Sequence, residues 1–424
     1  MIQNDDSRLQ EFRQLKNEIR GSMQYLAVGI DIAKEHHNAF FGIASGKTLL
    51  RSLVFDNTKE GFEKLCLYAE TFKTQMSLTK VVFGLEPTAD YHKPLGEYLI
   101  RHGHMTVLVA GTAVKRNREL LDGRWDKHDT KDAANVADLI AQGKCLFYEF
   151  PPPDIRELRN LLSLKRRFKK EEQGYRVRIR NHLIAQYFPE MDHYLGYGEG
   201  PRITRWCLDP RELARLPFQE FVHMVSSRSG GEKQRRRLWE LHQKAPSSIG
   251  CAAHAAVSFE ARLLLEGLQH IHLMIQEADK KIAEVCTRFP EYPCLLSIPG
   301  FGPDVSAKVL GAVSNPHRFD NARQVLKTAG LDLSAQRSGK KTDVKPVISK
   351  KGKADLRYAL YQAALIASSR NDHFMRYFTE KLTGRERERG IKTKMRVKLS
   401  AKMLVIAWTL MKKKEMFDPE CTGE

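Results

Sequence analysis

Two apolar runs decide the fold class of this chain: YLAVGID at residues 25–31 and TKVVFGL at residues 79–85. Each reads as a short buried strand, and each ends at a carboxylate, Asp31 in the first and Glu86 directly after the second. Other strand-like runs lie at 38–44, 48–55 and 105–110, and helix-like patterns lie at 61–72, 91–101 and 129–142. Strands alternating with helices in this order predict an α/β domain of about 150 residues.

Composition points to a polyanionic partner. The chain has 424 residues, with 70 Lys and Arg against 51 Asp and Glu, a formal net charge of +19. The hydrophobic fraction of 42% is enough to fill ordinary cores, so the class of disordered proteins is excluded. The commonest polyanion in a cell is nucleic acid, which makes a nucleic-acid-binding protein the first expectation.

Several other classes are set aside. No apolar run reaches the roughly 18 residues that a membrane-spanning helix needs. The polar N-terminus is unlike a secretory signal, and the seven cysteines are scattered, which argues against a zinc ribbon and a disulfide framework. We expect a prokaryotic cytoplasmic protein that acts at the nucleoid and has no membrane partner.

The domain boundaries follow changes in pattern. We predict a polar extension over 1–23, a catalytic α/β domain over 24–150, a coiled-coil and linker region over 151–290 with an irregular insertion at about 190–255, and a mostly helical domain over 291–424. Apolar residues from Val257 to Val285 follow 3-4 spacing, which is a heptad seam. Together with the long basic helix expected over 155–188, this seam predicts either an antiparallel coiled-coil arm or dimerisation element, or two core helices of a bundle.

Four carboxylates form the first candidate site. Asp31 and Glu86 end strands, and Asp129 and Asp132 are three residues apart on a predicted helix, so they share a face. Such a set can hold two magnesium ions, which prefer oxygen ligands and support phosphoryl transfer. A single strand-end acid is most often a solvated turn residue, and Asp126 leaves the helix register open.

Two C-terminal motifs suggest contact with a nucleic-acid backbone. SIPGFGPDVSAKVL at 297–310 has the form of a helix-hairpin-helix, or of a simple glycine turn between core helices. RSGKKTDVKPVISKKGK at 337–353 is either a solvated loop or a phosphate-contacting loop, and its Ser338 is either a turn residue or a nucleophile. The candidate nucleic-acid contacts are Gly300, Gly302, Lys340, Lys341, Lys350, Lys351 and Arg357.

The motifs taken together resemble the DEDD transposases of the insertion sequence 110 type, which include the Piv-like DNA invertases. GIDIAK at 29–34, EPTADYH at 86–92 and KHDTKDA at 127–133 resemble the three acidic motifs, and the third sets the register on Asp129 and Asp132. The C-terminal motifs continue through RFDNARQVLKTAGLDL at 318–333 and KADLRYALYQAA at 353–364. The resemblance covers about 25–150 and 290–415. Ala89 replaces a usual glycine, and His128 a usual threonine.

The resemblance implies a RuvC-like, ribonuclease-H-type N-terminal domain with four magnesium-binding acids, and a transposase domain with a serine nucleophile. By motif position that serine is Ser338, with Ser349 as the second choice. It also implies strand cleavage through a transient phosphoserine, a dimer or tetramer in which one protomer's acids act with another's serine, and, in some members, a structured guide RNA encoded by the element.

Other functions stay open at this point. A site-specific DNA invertase of the same family would use the same residues. A RuvC-type junction nuclease would use the acids with no covalent step, and a non-catalytic nucleic-acid-binding protein would use neither. The C-terminal domain argues against the nuclease, and the four intact acids argue against the non-catalytic protein.

Overall fold

The computed structural model describes residues 5–121, 129–193, 200–206, 208–226, 231–334 and 347–420. The chain divides into two compact units, Met1–Pro152 and Pro153–Glu424, which meet within the proline run at 151–153. In the part of the chain that is described, no helix is long and apolar enough to cross a membrane.

The first unit is built around a mixed sheet. Its elements in chain order are α1 (Asp5–Glu18), β1 (Tyr25–Asp31), β2 (His36–Ile43), β3 (Thr48–Asp56), α2 (Lys59–Gln75), β4 (Lys80–Leu85), α3 (His92–Arg101), β5 (Met105–Leu108), α4 (Gly111–Leu121), α5 (Asp129–Ala141) and β6 (Leu146–Phe147).

The described strands of this unit pair in the order β3-β2-β1-β4-β5-β6. Strands β1, β2 and β3 form an antiparallel meander, β4 pairs parallel with β1, β5 pairs parallel with β4, and β6 is antiparallel to β5. The parallel pairs need crossover helices, and α2 and α3 supply them. The α/β class predicted for this region is therefore confirmed.

Alternation along β1 divides the core into two layers. Leu26, Val28 and Ile30 pack with α2 and α3 on one face, and Tyr25 and Ala27 pack with α1, α4 and α5 on the other. Helix α1 lies within the segment predicted as a polar extension. It buries Phe12 and Leu15 in the second layer together with Ile19, which directly follows the helix, because this spacing gives one apolar face.

The second unit is helical in its described part. Its elements are α6 (Pro153–Arg178), a π-helical turn (Ile179–Ile184), α7 (Ala185–Tyr187), α8 (Gly200–Trp206), α9 (Pro210–Arg215), α10 (Phe218–Val225), α11 (Glu232–Lys244), α12 (Ala255–Cys286), α13 (Glu291–Leu296), α14 (Pro303–Val313), α15 (Ala322–Ala329), β7 (Leu333–Ser334), β8 (Val347–Ile348), α16 (Ala354–Arg370), α17 (Asp372–Leu382) and α18 (Ile391–Lys413), with short 3-10 turns at Pro189–His193, Ala245–Ser247 and Pro316–Arg318.

Helices α6 and α12 run antiparallel. Arg288 pairs with Asp154 at one end of the two helices, and His272 hydrogen-bonds Glu172 further along at 3.0 Å. Burial raises the pKa of Glu172, but hydrogen bonds, first from Lys169 and then from His272 and Arg176, outweigh it and hold that pKa at about 2. This ionised carboxylate therefore links the two helices.

The heptad seam of α12 is buried within this one chain. Its first half, from Val257 to Ile275, packs with α8–α11 in a small core, and Ile282 and Val285 pack in a second core with α13–α16 and α18. Burial along the whole seam favours the interpretation as core helices. The single long helix expected over 155–188 is confirmed, since α6, the π-helical turn and α7 follow one another without a break over 153–187.

Candidate active site

Asp31 and Glu86 lie side by side at one edge of the sheet. Strands β1 and β4 are parallel and pair Ile30 with Leu85, so the next residue of each strand is one of the two acids. Both acids follow the alternation of the face that packs against α5, the face of Ala27 in β1 and Val82 in β4. Both side chains are half-buried.

Helix α5 approaches that face through a glycine. A Cβ atom at Gly29 would lie 2.1 Å from the Ala133 carbonyl oxygen and 2.4 Å from the Ala137 nitrogen, so no other residue fits there without moving the helix. Asp132 directly precedes Ala133 and is only 2% exposed. Asp129 is the first residue of α5, but its side chain lies outside the description.

The buried Asp132 carboxylate has a cationic neighbour. Arg118 of α4 forms a close ion pair with its Oδ1, although that oxygen accepts no hydrogen bond and the Arg118 Nε is likewise without one. Nearby, the Asn117 Nδ2 donates to Asp138 Oδ2 at 2.8 Å and to Asn135 Oδ1 at 3.1 Å, which joins α4 to α5. A buried carboxylate needs a counter-charge, and Arg118 supplies it here.

Glu86 packs against the start of α4. A Cβ atom at Gly111 would come within 2.6 Å of the Glu86 Oε1, so this glycine leaves room for the carboxylate. Sequence reasoning missed both Gly111 and Arg118. No local pattern marks them, since their importance comes from contacts between elements distant in the chain.

The candidate residues carry the type of donor atom that a hard divalent cation prefers. The candidates supply only carboxylate oxygens, the ligands that magnesium prefers, and the buried Asp132 Oδ1, although ion-paired with Arg118, accepts no hydrogen bond from the described residues. Among the residues that the structure describes, however, no three or more acids, histidines or cysteines are gathered closely enough to hold a metal. Asp31 and Glu86 thus lie on the sheet face that α5 covers, and Asp132 lies on that helix. The three carboxylates are not close enough together to bind a metal ion.

The proposed nucleophile, Ser338, lies outside the described residues, as do Lys340 and Lys341. The chain on either side of them is held together. Strands β7 and β8 pair antiparallel, with Leu333 opposite Ile348 and Ser334 opposite Val347. Ser334 and Val347, the described residues that flank the serine-bearing segment (335–346), are therefore paired.

The other candidate phosphate contacts of this region differ in their roles. Lys350 and Lys351 are exposed, and Lys350 has a φ of 56°. Arg357 donates from Nη1 to the Ala329 carbonyl at 2.8 Å and to the Lys350 carbonyl at 3.4 Å, so its guanidinium supports this turn. The two lysines have the exposure that a phosphate contact requires.

The two glycines of the predicted helix-hairpin-helix lie between α13 and α14. Gly300 has a φ of 89°, and a Cβ atom there would meet the Ala363 carbonyl at 2.5 Å, so this position packs against α16. Gly302 precedes α14 and has open space around it. Both helices bury apolar residues in the C-terminal core, which by itself also agrees with a glycine turn between core helices.

Comparison with known families decides the identity. A family model described as transposase, of the DEDD and IS110 type, matches residues 28–189, and a second, described as the transposase IS116/IS110/IS902 family, matches residues 292–379. Together they span more than half of the chain. The protein belongs to the IS110 family of transposases. It is therefore a DNA transposase or recombinase.

Relatives of this IS110-family protein match most of the chain, and two of them match 92% of it. A 44.8 kDa protein of insertion element IS116 from Streptomyces clavuligerus is 24% identical, over 92% of this chain and 96% of its own length. The pilin gene-inverting protein of Moraxella bovis is 22% identical, over 92% and 97%. A putative transposase of the IS117 mini-circle from Streptomyces coelicolor is 23% identical, over 74% and 77%.

Proposed function

We propose that this IS110-family protein is the transposase of an insertion sequence, which cuts and rejoins DNA strands with an acidic metal site and a serine nucleophile. One observation carries the proposal: Asp31 and Glu86 end neighbouring parallel strands, on the sheet face where α5 buries Asp132. Neighbouring carboxylates at the carboxyl ends of strands, with a third acid on the covering helix, suit phosphoryl transfer.

The proposed metal ligands are Asp31, Glu86, Asp129 and Asp132, and the proposed metal is magnesium, bound as one or two ions. When bound, magnesium would supply Lewis-acid stabilisation of charge on the phosphate oxygens. Within the chain, Gly29 lets α5 bring Asp132 to the sheet, and Gly111 leaves room for the Glu86 carboxylate. Arg118 balances the charge of Asp132.

Ser338 is the proposed nucleophile. Its Oγ would form a bond to a backbone phosphorus while one phosphorus–oxygen bond of the DNA strand breaks, and the serine proton would leave to the surroundings as the departing oxygen gains one. In the second step a hydroxyl of another strand would attack the phosphoserine and release the serine. The number of phosphodiester links is then unchanged, so no energy source is required.

We further propose a RuvC-like fold for the first unit and a helix-hairpin-helix at 297–310. The antiparallel meander of β1–β3 followed by parallel β4 and β5 supports the first proposal. The positive φ of Gly300, which turns the chain between α13 and α14, and the open surroundings of Gly302 at the start of α14 support the second.

A structured guide RNA and a homodimer or tetramer complete the proposal. The net charge of +19 supports a large nucleic-acid partner, and the residues singled out contain no motif that reads base edges. Sequencing the RNA that copurifies with the protein from its native cells tests the guide. A defined RNA encoded beside the gene is expected, and the absence of bound RNA would favour sites read by protein.

The catalytic proposal is tested with Asp31→Asn on a plasmid that carries the gene with its flanking DNA. Recombination products should fall by at least about 100-fold, the scale on which electrostatic stabilisation contributes. Asp56→Asn is the matched control, since Asp56 ends β3, is exposed and lies outside the proposed set. Equal activity of the two variants would remove Asp31 from the mechanism.

DNA inversion is the second candidate function. It is favoured by the relative named pilin gene-inverting protein, which matches 92% of this chain. An invertase would reverse a segment within one plasmid, whereas a transposase would insert the element into a second DNA molecule. A RuvC-type junction nuclease would leave cut strands unjoined.

A further inference from the structure

A basic cavity of about 190 Å³ opens in the second unit, and none of its lining residues is among the candidate site residues named above. It is bounded by α6, α14 and the start of α16. Its lining residues are Arg159, Leu162, Ser163, Arg166, Lys308, Gly311, Ala312, Lys353, Asp355 and Leu356.

Helix packing builds the walls of this cavity. The α6 residues that line it are spaced three and four apart, as are those of α14, so each helix presents one face to it. Gly311 lets the two helices approach closely, since a Cβ atom there would lie 3.0 Å from the Leu162 Cδ1. The walls of the cavity are therefore formed by packed helices.

Four of the lining side chains are cationic, and one, Asp355, is acidic. The Arg159 Nε donates to the Gly311 carbonyl at 2.7 Å, which fixes its guanidinium at the wall. Lys308 is held by Asp304 at 2.7 Å. Arg166 is exposed and makes no ion pair with any residue that the structure describes.

Cationic side chains that line one cavity repel one another, and this repulsion is relieved when an anion binds among them. Arginine forks and lysine ammonium groups are the usual ligands of phosphate oxygens. Even with Lys308 paired to Asp304, a cavity lined by two arginines, two lysines and one carboxylate keeps a net positive charge, which suits a phosphate group.

We propose that this cavity binds a phosphate of a nucleic-acid backbone. The inference rests on the proposed function, in which the protein holds nucleic acid, and it assigns a contact point distinct from the serine-bearing segment. Arg166 and Lys353 line the cavity and are exposed, so a polymer can reach it from outside. The contact carries no base information and would position the strand.

The test compares Arg166→Gln with Arg167→Gln in the full-length protein. Arg167 is the neighbouring residue of α6, is exposed, makes no ion pair with the described residues and does not line the cavity. Binding is measured as a function of salt, with a DNA duplex and an RNA hairpin of random sequence as the two probes.

For the probe that occupies the cavity, Arg166→Gln should lower the slope of log affinity against log salt by about 0.9 for the DNA duplex, or by about 0.7 for the single-stranded loop of the RNA hairpin. Arg167→Gln should leave the slope near wild type. Asp355→Asn should strengthen binding of the same probe, because it removes the one negative charge of the lining.

The outcomes separate this inference from the proposed function. A shift with the RNA alone or with the DNA alone identifies the occupant, and both support the cavity site. Equal slopes for the two arginine variants with both probes would overturn the cavity site and leave the proposed function standing. A wild-type protein that binds neither probe would overturn both.

Discussion

Ser349 is hydrogen-bonded twice to Asp332 across the base of the serine-bearing segment. The Ser349 Oγ donates to the Asp332 Oδ1 at 2.5 Å, and the Ser349 N–H donates to the Asp332 carbonyl oxygen at 2.8 Å. The Ser349 hydroxyl oxygen also accepts from the Lys351 N–H at 3.3 Å. These contacts give Ser349 a structural role, which favours Ser338 as the nucleophile in our proposal.

Ser349→Ala should therefore destabilise the fold without abolishing the chemistry. Loss of the hydroxyl leaves the Asp332 carboxylate without this donor, which costs about 1–2 kcal/mol of unfolding free energy. Covalent protein–DNA adducts should persist, and Ser349→Thr should restore most of the stability. Urea unfolding and adduct yield are the measurements, and loss of adducts from a stably folded Ser349→Ala protein would make Ser349 the nucleophile instead.

Arg118→Gln should make the stability of the protein more dependent on magnesium. The substitution leaves the buried Asp132 carboxylate without its counter-charge, at a cost of about 3–5 kcal/mol. A bound divalent cation would replace that charge, so millimolar magnesium should raise the melting temperature of the variant more than that of the wild type. Thermal unfolding with and without chelator measures the difference.

Arg116→Gln is the control for this comparison. Arg116 lies on the same helix and is exposed, and it makes no ion pair with the residues that the structure describes. Its variant should match the wild type in magnesium dependence. If magnesium stabilises neither the wild type nor the Arg118 variant, the acids do not form the proposed metal site.

Gly29→Ala should loosen α5 from the sheet. The added methyl would lie within 2.5 Å of the α5 backbone at Ala133 and Ala137, so the helix has to move, at a cost of about 2 kcal/mol or more. Gly174→Ala is the control, because an added methyl at this position of α6 would meet only the Arg178 Nη2, at 3.9 Å. Equal melting temperatures of the two variants would show that α5 is placed differently.

Ala89→Gly should stabilise the protein. Ala89 has a φ of 45°, a left-handed conformation that glycine adopts without the steric cost that a Cβ atom imposes. We expect a gain of about 0.5–1 kcal/mol, reduced from the full steric cost by the greater entropy of glycine in the unfolded chain. A lower urea midpoint for Ala89→Gly than for the wild type would contradict it.

Two residues, Ala89 and His128, depart from the family pattern. The glycine that the family usually has at position 89 is explained by the left-handed backbone there. His128, the other departure, lies outside the described residues, as does Asp126.

Much of the fold could be predicted from local patterns. The strands that carry Asp31 and Glu86 are short apolar runs, and the α12 seam repeats at helical spacing, so burial follows directly from sequence. The ion pair of Arg118 with Asp132 could not be predicted, because it depends on how α4 and α5 pack. The same holds for the basic cavity, whose lining combines residues about 150 positions apart.

The most direct test of the central claim is the yield of covalent protein–DNA adduct from Ser338→Ala, measured on a plasmid that carries the gene with its flanking DNA. Our account predicts that adducts and recombinants disappear while nucleic-acid binding is retained, and that Ser349→Ala still forms adducts. Wild-type levels of recombination by Ser338→Ala would contradict the account. Cleavage without any adduct in the wild type would instead indicate a metal-dependent nuclease.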